Sequence, residues 1–140
     1  ELQYFHYPFG LEFNSAEVLT FEEEFPNMLG GKPLGGQGQI SFESVDTDKE
    51  HCVMLYKGEV DPDDTKAVIL KLFKMMGRKS RYMKKAIKSA KLEIKDNHRF
   101  EYLYYPCIPV KIVTTRTIDV SIENTIVKGK DQTIIELIEE

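Results

Sequence analysis

Hydrophobic and polar residues alternate along this chain with two periods, one of about 3.6 residues and one of two. The longer period runs over residues 61–90, where apolar side chains form one arc and basic side chains the other. Asp61 is a good N-cap, and Pro62 suits the first helical position. The pattern therefore predicts one long amphipathic helix, which Gly77 would kink or divide because glycine disfavours helix interiors.

The two arcs of this helix predict a buried face and an exposed face. The residues expected to pack on the rest of the protein are Ile69, Leu72, Phe73, Met76, Met83 and Ile87. The residues expected to face water are Lys71, Lys74, Arg78, Lys84, Lys85 and Lys88. Leu70 falls on the polar side, against the pattern.

The two-residue period predicts strands on both sides of the helix. Before it, the predicted strands are residues 1–14, 16–25, 39–45 and 52–60, with a glycine-rich loop over 26–38. After it, they are a strand that starts at 92 and turns at 96–97, then 99–105, 110–123 and 132–139, the last preceded by a connection around 128–130. This order predicts an α+β fold, in which a curved antiparallel sheet, or half-barrel, wraps around the helix.

Charge is distributed unevenly along the chain. The net charge is -4 over 140 residues, but residues 66–95 hold 11 basic side chains and a single acid, Glu93. This asymmetry favours a solvated helix face partly neutralised by acidic loops, and it also allows an anionic partner: a membrane surface, a polyanion or an acidic protein. Nucleic-acid binding is disfavoured because the rest of the chain is acidic and holds no nucleic-acid-binding motif. A length of 140 residues suits one domain, and no apolar run is long enough to span a bilayer.

Motifs for catalysis or metal binding are missing from the sequence. His6, His51 and His98 lie far apart, and no metal-ligand spacing or nucleophile motif is present. We therefore expect a protein that is not an enzyme and needs no cofactor. Cys52 and Cys107 form no zinc-type spacing. They are either free thiols or one disulfide, and we favour free, buried thiols.

Aromatic and methionine residues are the most suggestive feature for ligand binding. They favour an ordinary core, but they also suit an apolar cleft between sheet and helix, with basic residues at its mouth for an anionic headgroup. The candidate ligand-binding residues are Met75, Met76, Met83, Phe100, Tyr102, Tyr104, Arg78, Arg81 and Lys85.

Several segments resemble known bacterial exported proteins. The order of curved sheet, embedded helix and C-terminal meander resembles the half-barrel of lipoprotein carriers of the Lol type. Phe25-Pro26-Asn27 with Gly30-Gly31, Val60-Asp61-Pro62, Ile108-Pro109-Val110-Lys111-Ile112 and Thr114-Thr115-Arg116-Thr117 also resemble small secreted or lipid-anchored bacterial proteins of unassigned function. The resemblance implies an extracytoplasmic location, the later part of a longer exported chain, and a cavity for an acyl chain. It implies no catalytic residue.

Two functions follow as expectations. The first is a non-enzymatic extracytoplasmic domain that binds an apolar or amphiphilic ligand, such as a lipid, or a protein partner. The second is a structural interaction module whose basic helix face docks on an acidic surface. Unfilled volume between helix and sheet would favour the first, and a fully packed interior the second. The sequence does not predict an oligomeric state.

Overall fold

The computed structural model describes residues 14–75, 88–105 and 107–138, which form a six-stranded antiparallel sheet with one helix. The strands are β1 (Leu19–Phe25), β2 (Leu34–Asp46), β3 (His51–Val60), β4 (Lys91–Leu103), β5 (Ile108–Ile122) and β6 (Thr125–Glu136). They lie in the sheet in chain order, so β1 and β6 are its edges and the sheet is not closed. The helix, α1 (Pro62–Met75), follows β3. The α+β class and the antiparallel sheet are confirmed, whereas the strand predicted over residues 1–14 lies mostly outside the described residues.

The start of α1 agrees with the sequence because local chemistry determines it. The Asp61 carboxylate accepts a hydrogen bond from the Asp63 backbone N–H at 2.8 Å, and the Asp61 carbonyl accepts one from Thr65 at 3.0 Å. Asp64 accepts a bond from the backbone N–H of Gly35 at 2.6 Å. This last contact attaches the first turn of the helix to the start of β2.

The described part of α1 buries a narrower face than the sequence predicts. Val68 and Ile69 are buried, and Phe73 packs beside them against the sheet. Leu72, predicted to be buried, is 40% exposed, because the helix contacts β2 and β4 along one side only. Leu70 is also exposed, as its place on the polar arc predicts. The continuation predicted through residues 76–87 lies outside the described residues, including Met76, Met83 and Ile87 of the predicted face.

Three strand boundaries differ from the predicted ones. β2 begins at Leu34, so the last five residues of the predicted glycine-rich loop, which include Gly35, Gly36 and Gly38, are strand. β4 runs through residues 96–97 without the predicted turn, and β6 runs through 128–130 instead of starting at 132. In each case a continuous ladder with the neighbouring strands outweighs local turn chemistry. The last two strands are joined instead at residues 123–124, where Glu123 has a φ of 53°.

Two apolar clusters lie on one face of the sheet, which we call the inner face. The helix cluster joins Val68 and Ile69 of α1 to strand residues at one end of the sheet, among them Phe25, Leu34, Val60, Leu92 and Ile94. The aromatic cluster lies at the other end and contains Ile40, Cys52, Met54, Tyr56, Phe100, Tyr102 and Ile112. The helix therefore organises one half of the inner face rather than the whole core.

Both cysteines are free thiols, as we expect from the sequence, but only Cys52 is buried as expected. Cys52 is buried in the aromatic cluster, and Cys107 is half-buried against the same cluster. Burial, together with the neighbouring Cys107, raises the pKa of Cys52. Burial also raises the pKa of Tyr102 to about 12, with smaller contributions from the two cysteines. Within the described ranges, no helix is both long and apolar enough to cross a membrane.

Candidate functional site

The candidate ligand-binding residues named from the sequence occupy different environments. Phe100 and Tyr102 are each 1% exposed in the aromatic cluster, whereas Tyr104 lies in the turn after β4 and is 41% exposed. Met75 ends the described part of α1 and is 70% exposed. Met76, Arg78, Arg81, Met83 and Lys85 lie outside the described residues, so the full set stays a prediction.

A polar band crosses the inner face between the two clusters. Tyr56 of β3 donates a short hydrogen bond to the Glu23 carboxylate of β1, and its ring stacks on His98 at a centroid distance of 5.0 Å. His98 accepts a 3.4 Å hydrogen bond at Nδ1 from the backbone N–H of Thr115. Burial lowers the pKa of His98, which favours the neutral imidazole. The band therefore brings polar groups from separate strands together inside the protein.

An ion pair forms the centre of this band. Arg116 donates two hydrogen bonds to the Asp96 carboxylate, at 2.7 and 2.6 Å, and Asp96 is only 5% exposed. Beside the pair lies a cavity of about 160 Å³ with Asp131 in its lining. With His98 neutral, the two aspartates outnumber the arginine, so an anionic ligand would be disfavoured there. The cavity is also smaller than most small-molecule sites. We therefore assign the band a structural role.

The larger space on the helix side is a cleft between α1 and the ends of β3 and β4. It has a volume of about 410 Å³, and its apolar wall contains the buried residues Val60, Ile69 and Leu92, with Ala90 beside them. The first turns of α1 form the opposite side, where Thr65 donates its hydroxyl to the Pro62 carbonyl at 2.9 Å. The cleft lies where the helix and the strands diverge, and the three buried residues of its apolar wall are each 7% exposed or less.

Charged side chains surround the cleft, with equal numbers of acidic and basic residues. The acidic side chains at the rim are Glu59, Asp63 and Glu93, and the basic ones are Lys66, Lys88 and Lys91. Lys95 bonds two of these acids, Glu93 at 3.0 Å and Glu59 at 3.5 Å. Its pKa is raised chiefly by the bond to Glu93. Lys95 does not line the cleft, but its two bonds partly neutralise the acidic charge of the rim.

The three rim lysines are available for a ligand. Lys66, Lys88 and Lys91 are exposed, and none forms an ion pair with any residue in the described ranges. By contrast, Lys71 donates to the carbonyls of Leu29 and Gly30 at 3.2 and 3.1 Å, so it holds the β1–β2 loop. Three exposed lysines that form no ion pair within the described ranges therefore border the cleft.

The outer face of the sheet carries a separate row of ion pairs. Arg99 donates to Glu43 at 3.0 Å and to Glu101 at 2.9 Å, and His51 lies 3.0 Å from the same Glu101. The bond from Arg99 is the main cause that lowers the pKa of Glu101. These pairs are partly exposed, and such pairs contribute little to stability.

Sequence reasoning identified the elements that form the cleft but not the cleft residues as a site. Ile69 was expected to be core, and Lys88 was expected to face water. The alternation of polar and apolar residues from Lys88 to Leu92 indicates which of these side chains share a face. It is the only local pattern that points to these residues as neighbours in a cleft. Where two packed elements leave a gap depends on their separation, which no local pattern encodes.

Comparisons with known proteins give no relative for this chain. No protein-family model, no curated protein and no solved structure matches it.

Proposed function

We propose that this protein is a non-enzymatic binding domain that takes an amphiphilic ligand in the cleft between α1 and the ends of β3 and β4. The observation that carries the proposal is the cleft of about 410 Å³, which combines an apolar wall with unpaired rim lysines. Its volume lies within the range of small-molecule sites, roughly 300–1,000 Å³. An apolar tail would contact Val60, Ile69 and Leu92 and leave water.

The charge at the rim selects the headgroup. Lys66, Lys88 and Lys91 are exposed ammonium groups around one opening, so a carboxylate or phosphate can reach more than one of them. Asp63 is the rim acid that forms no ion pair within the described residues, and it disfavours a second negative charge on the ligand. The ligand we propose is therefore a singly charged anion with an alkyl tail.

The wider setting is part of the same proposal. A sheet that curves around a longer helix as a half-barrel would extend the cleft, and the contacts of α1 with both β2 and β4 support that curvature. An extracytoplasmic location and a place in a longer exported chain rest on the resemblance to bacterial exported proteins. The alternative, docking of the basic helix face on an acidic surface, would use Lys74 and the basic residues that follow it.

The test compares two probes that share a tail and differ in charge. We expect dodecanoate to bind the 140-residue chain with a 1:1 stoichiometry in isothermal titration, and dodecyltrimethylammonium to bind at least about tenfold more weakly. In a double variant, Lys88→Gln with Lys91→Gln, dodecanoate binding should weaken by roughly tenfold. The matched control is Lys74→Gln, which removes an exposed lysine of α1 outside the cleft.

A second pair of variants tests the location of the tail. Ala90→Leu places added volume in the cleft and should abolish binding, whereas Ala67→Leu makes the same change on the exposed side of α1 and should leave binding intact. Unchanged binding in Ala90→Leu would refute the cleft as the site. Equal affinity for the two probes would refute recognition of an anionic headgroup.

A further inference from the structure

The last strand of the sheet exposes more apolar surface than the other strands. Ile126, Val127 and Ile134 of β6 are 64%, 60% and 55% exposed, and the residues just after it, Leu137 and Ile138, are 54% and 83% exposed. Among the described residues, β6 pairs with β5 on one side only. A long edge strand of this kind presents a row of backbone groups that can pair with another chain.

The other edge of the sheet is protected by its sequence. β1 is 7 residues long and carries three consecutive glutamates, Glu22 to Glu24, whereas β6 is 12 residues long. Charged side chains and short length are the means by which edge strands avoid pairing. β6 is therefore longer than β1, and its four charged residues, Lys128, Lys130, Asp131 and Glu136, are of both signs, so a second copy can pair them.

The register of β6 determines which of its backbone groups point outward. The N–H of Leu137 donates to the Val110 carbonyl of β5 at 2.9 Å, so residue 137 faces β5. Because hydrogen-bonding direction alternates along an antiparallel strand, the odd-numbered residues of β6 face β5 and the even-numbered ones face outward. The outward set is Ile126, Lys128, Lys130, Gln132, Ile134, Glu136 and, beyond the strand, Ile138.

This outward set is most complementary to itself in one antiparallel register. With Gln132 opposite its own copy, Lys128 lies opposite Glu136, Ile126 opposite Ile138 and Lys130 opposite Ile134, and each of these pairings occurs twice. Moving the centre by one residue towards the N-terminus puts Asp131 opposite Asp131 and Ile126 opposite Glu136. Moving it the other way pairs Lys130 with Glu136, but it puts Ile138 opposite Lys128 and loses the apolar pair. Opposite charges and apolar pairs across strands stabilise, whereas like charges destabilise.

We propose that β6 pairs with β6 of a second copy of this chain in the register centred on Gln132. The two sheets then form one continuous twelve-stranded sheet about a two-fold axis, with the inner faces on the same side. In the monomer, Lys128 lies 3.8 Å from Asp119, and Glu136 bonds to Lys111. These partners are partly exposed and stay beside the new pairs. The cleft lies away from β6, so the dimer is independent of the proposed ligand.

The test uses charge reversal and sedimentation equilibrium of the 140-residue chain. The unmodified chain is expected to sediment as a reversible dimer. Lys128→Glu alone opposes Glu to Glu twice, and Glu136→Lys alone opposes Lys to Lys twice, so each should raise the dimer dissociation constant roughly tenfold or more. An equimolar mixture of the two variants regains both attractive pairs and should form a heterodimer as readily as the unmodified chain dimerises.

Two controls separate the proposed interface from general effects. Lys57→Glu makes the same charge change on an exposed residue of β3 and should leave the dimer intact. Circular dichroism checks that every variant is folded. A monomeric unmodified chain, an open-ended series of oligomers, or a mixture that dimerises no better than the single variants would each overturn the proposal.

Discussion

Replacing Gly36 by alanine should destabilise the protein strongly, because the inner face leaves no space for a side chain there. A Cβ atom on Gly36 would overlap the backbone oxygen of Glu59 on the paired strand. It would also lie 2.7 Å from Cε2 of Phe25 and 3.0 Å from Cα of Val60. Two of these neighbours are backbone atoms, which cannot move without disturbing the β2–β3 ladder. Overpacking of this kind costs about 1–3 kcal/mol, and we expect a loss of about 3 kcal/mol.

Gly129 provides a matched control in the same sheet. It lies in β6, where an added Cβ would meet the Ile118 backbone oxygen at 3.6 Å and the Ile118 Cβ at 3.9 Å. These are ordinary contacts, so alanine fits without strain. Since alanine reduces the conformational entropy of the unfolded chain, Gly129→Ala should stabilise the protein by about 0.4–1 kcal/mol. The same chemical change is thus expected to have opposite signs at the two positions.

Urea denaturation followed by circular dichroism measures both effects. With a slope of about 2 kcal/mol per molar urea, the midpoint of Gly36→Ala should fall by about 1.5 M, while that of Gly129→Ala should rise slightly. The thermal midpoint of Gly36→Ala should fall by roughly 10 °C. Equal stability of the two variants within about 0.5 kcal/mol would show that Phe25 and the β3 backbone do not crowd Gly36 as the structure indicates.

Three further predictions concern other parts of the fold. Burial in the folded state lowers the pKa of His98 below its ordinary value of 6.5, so protonation of His98 favours unfolding. The urea midpoint should therefore be highest above pH 6.5 and fall as the pH is lowered through that value. In His98→Gln the urea midpoint should fall less over the same pH range. Phe73→Ala should lower the free energy of unfolding by about 2–4 kcal/mol, and Leu72→Ala, at a more exposed residue, by less than about 1 kcal/mol. Equal urea midpoints for the two variants would contradict the packing of α1. The denatured, unreduced protein should show two reactive thiols, with Cys107 reacting before the buried Cys52 in the native state, and a count of zero would mean that a disulfide forms.

The sequence alone determined the features that depend on neighbouring residues. Asp61 and Pro62 predicted the start of the helix, and the structure places the cap there. The predicted strands 39–45 and 52–60 left residues 46–51 as their connection, and there the Asp46 carboxylate accepts bonds from the N–H groups of residues 48 and 49 at 3.1 Å. Period-two alternation predicted β5 to within two residues at its start and one at its end. Hydrogen bonds and periodicity of this kind involve only a few consecutive residues, so the sequence is enough to predict them.

Only the tertiary structure determined features that involve residues distant in sequence. Residues 96–97 read as a turn, yet β4 continues through them because both neighbouring strands pair there and Arg116 neutralises Asp96. The glycines of β2 read as a loop, yet they are strand because aromatic rings from β1 lie over Gly36 and Gly38. The cleft beside α1 exists because the helix covers only part of the inner face. Such outcomes depend on distances between elements, and sequence periodicity indicates the faces of those elements but not the gaps between them.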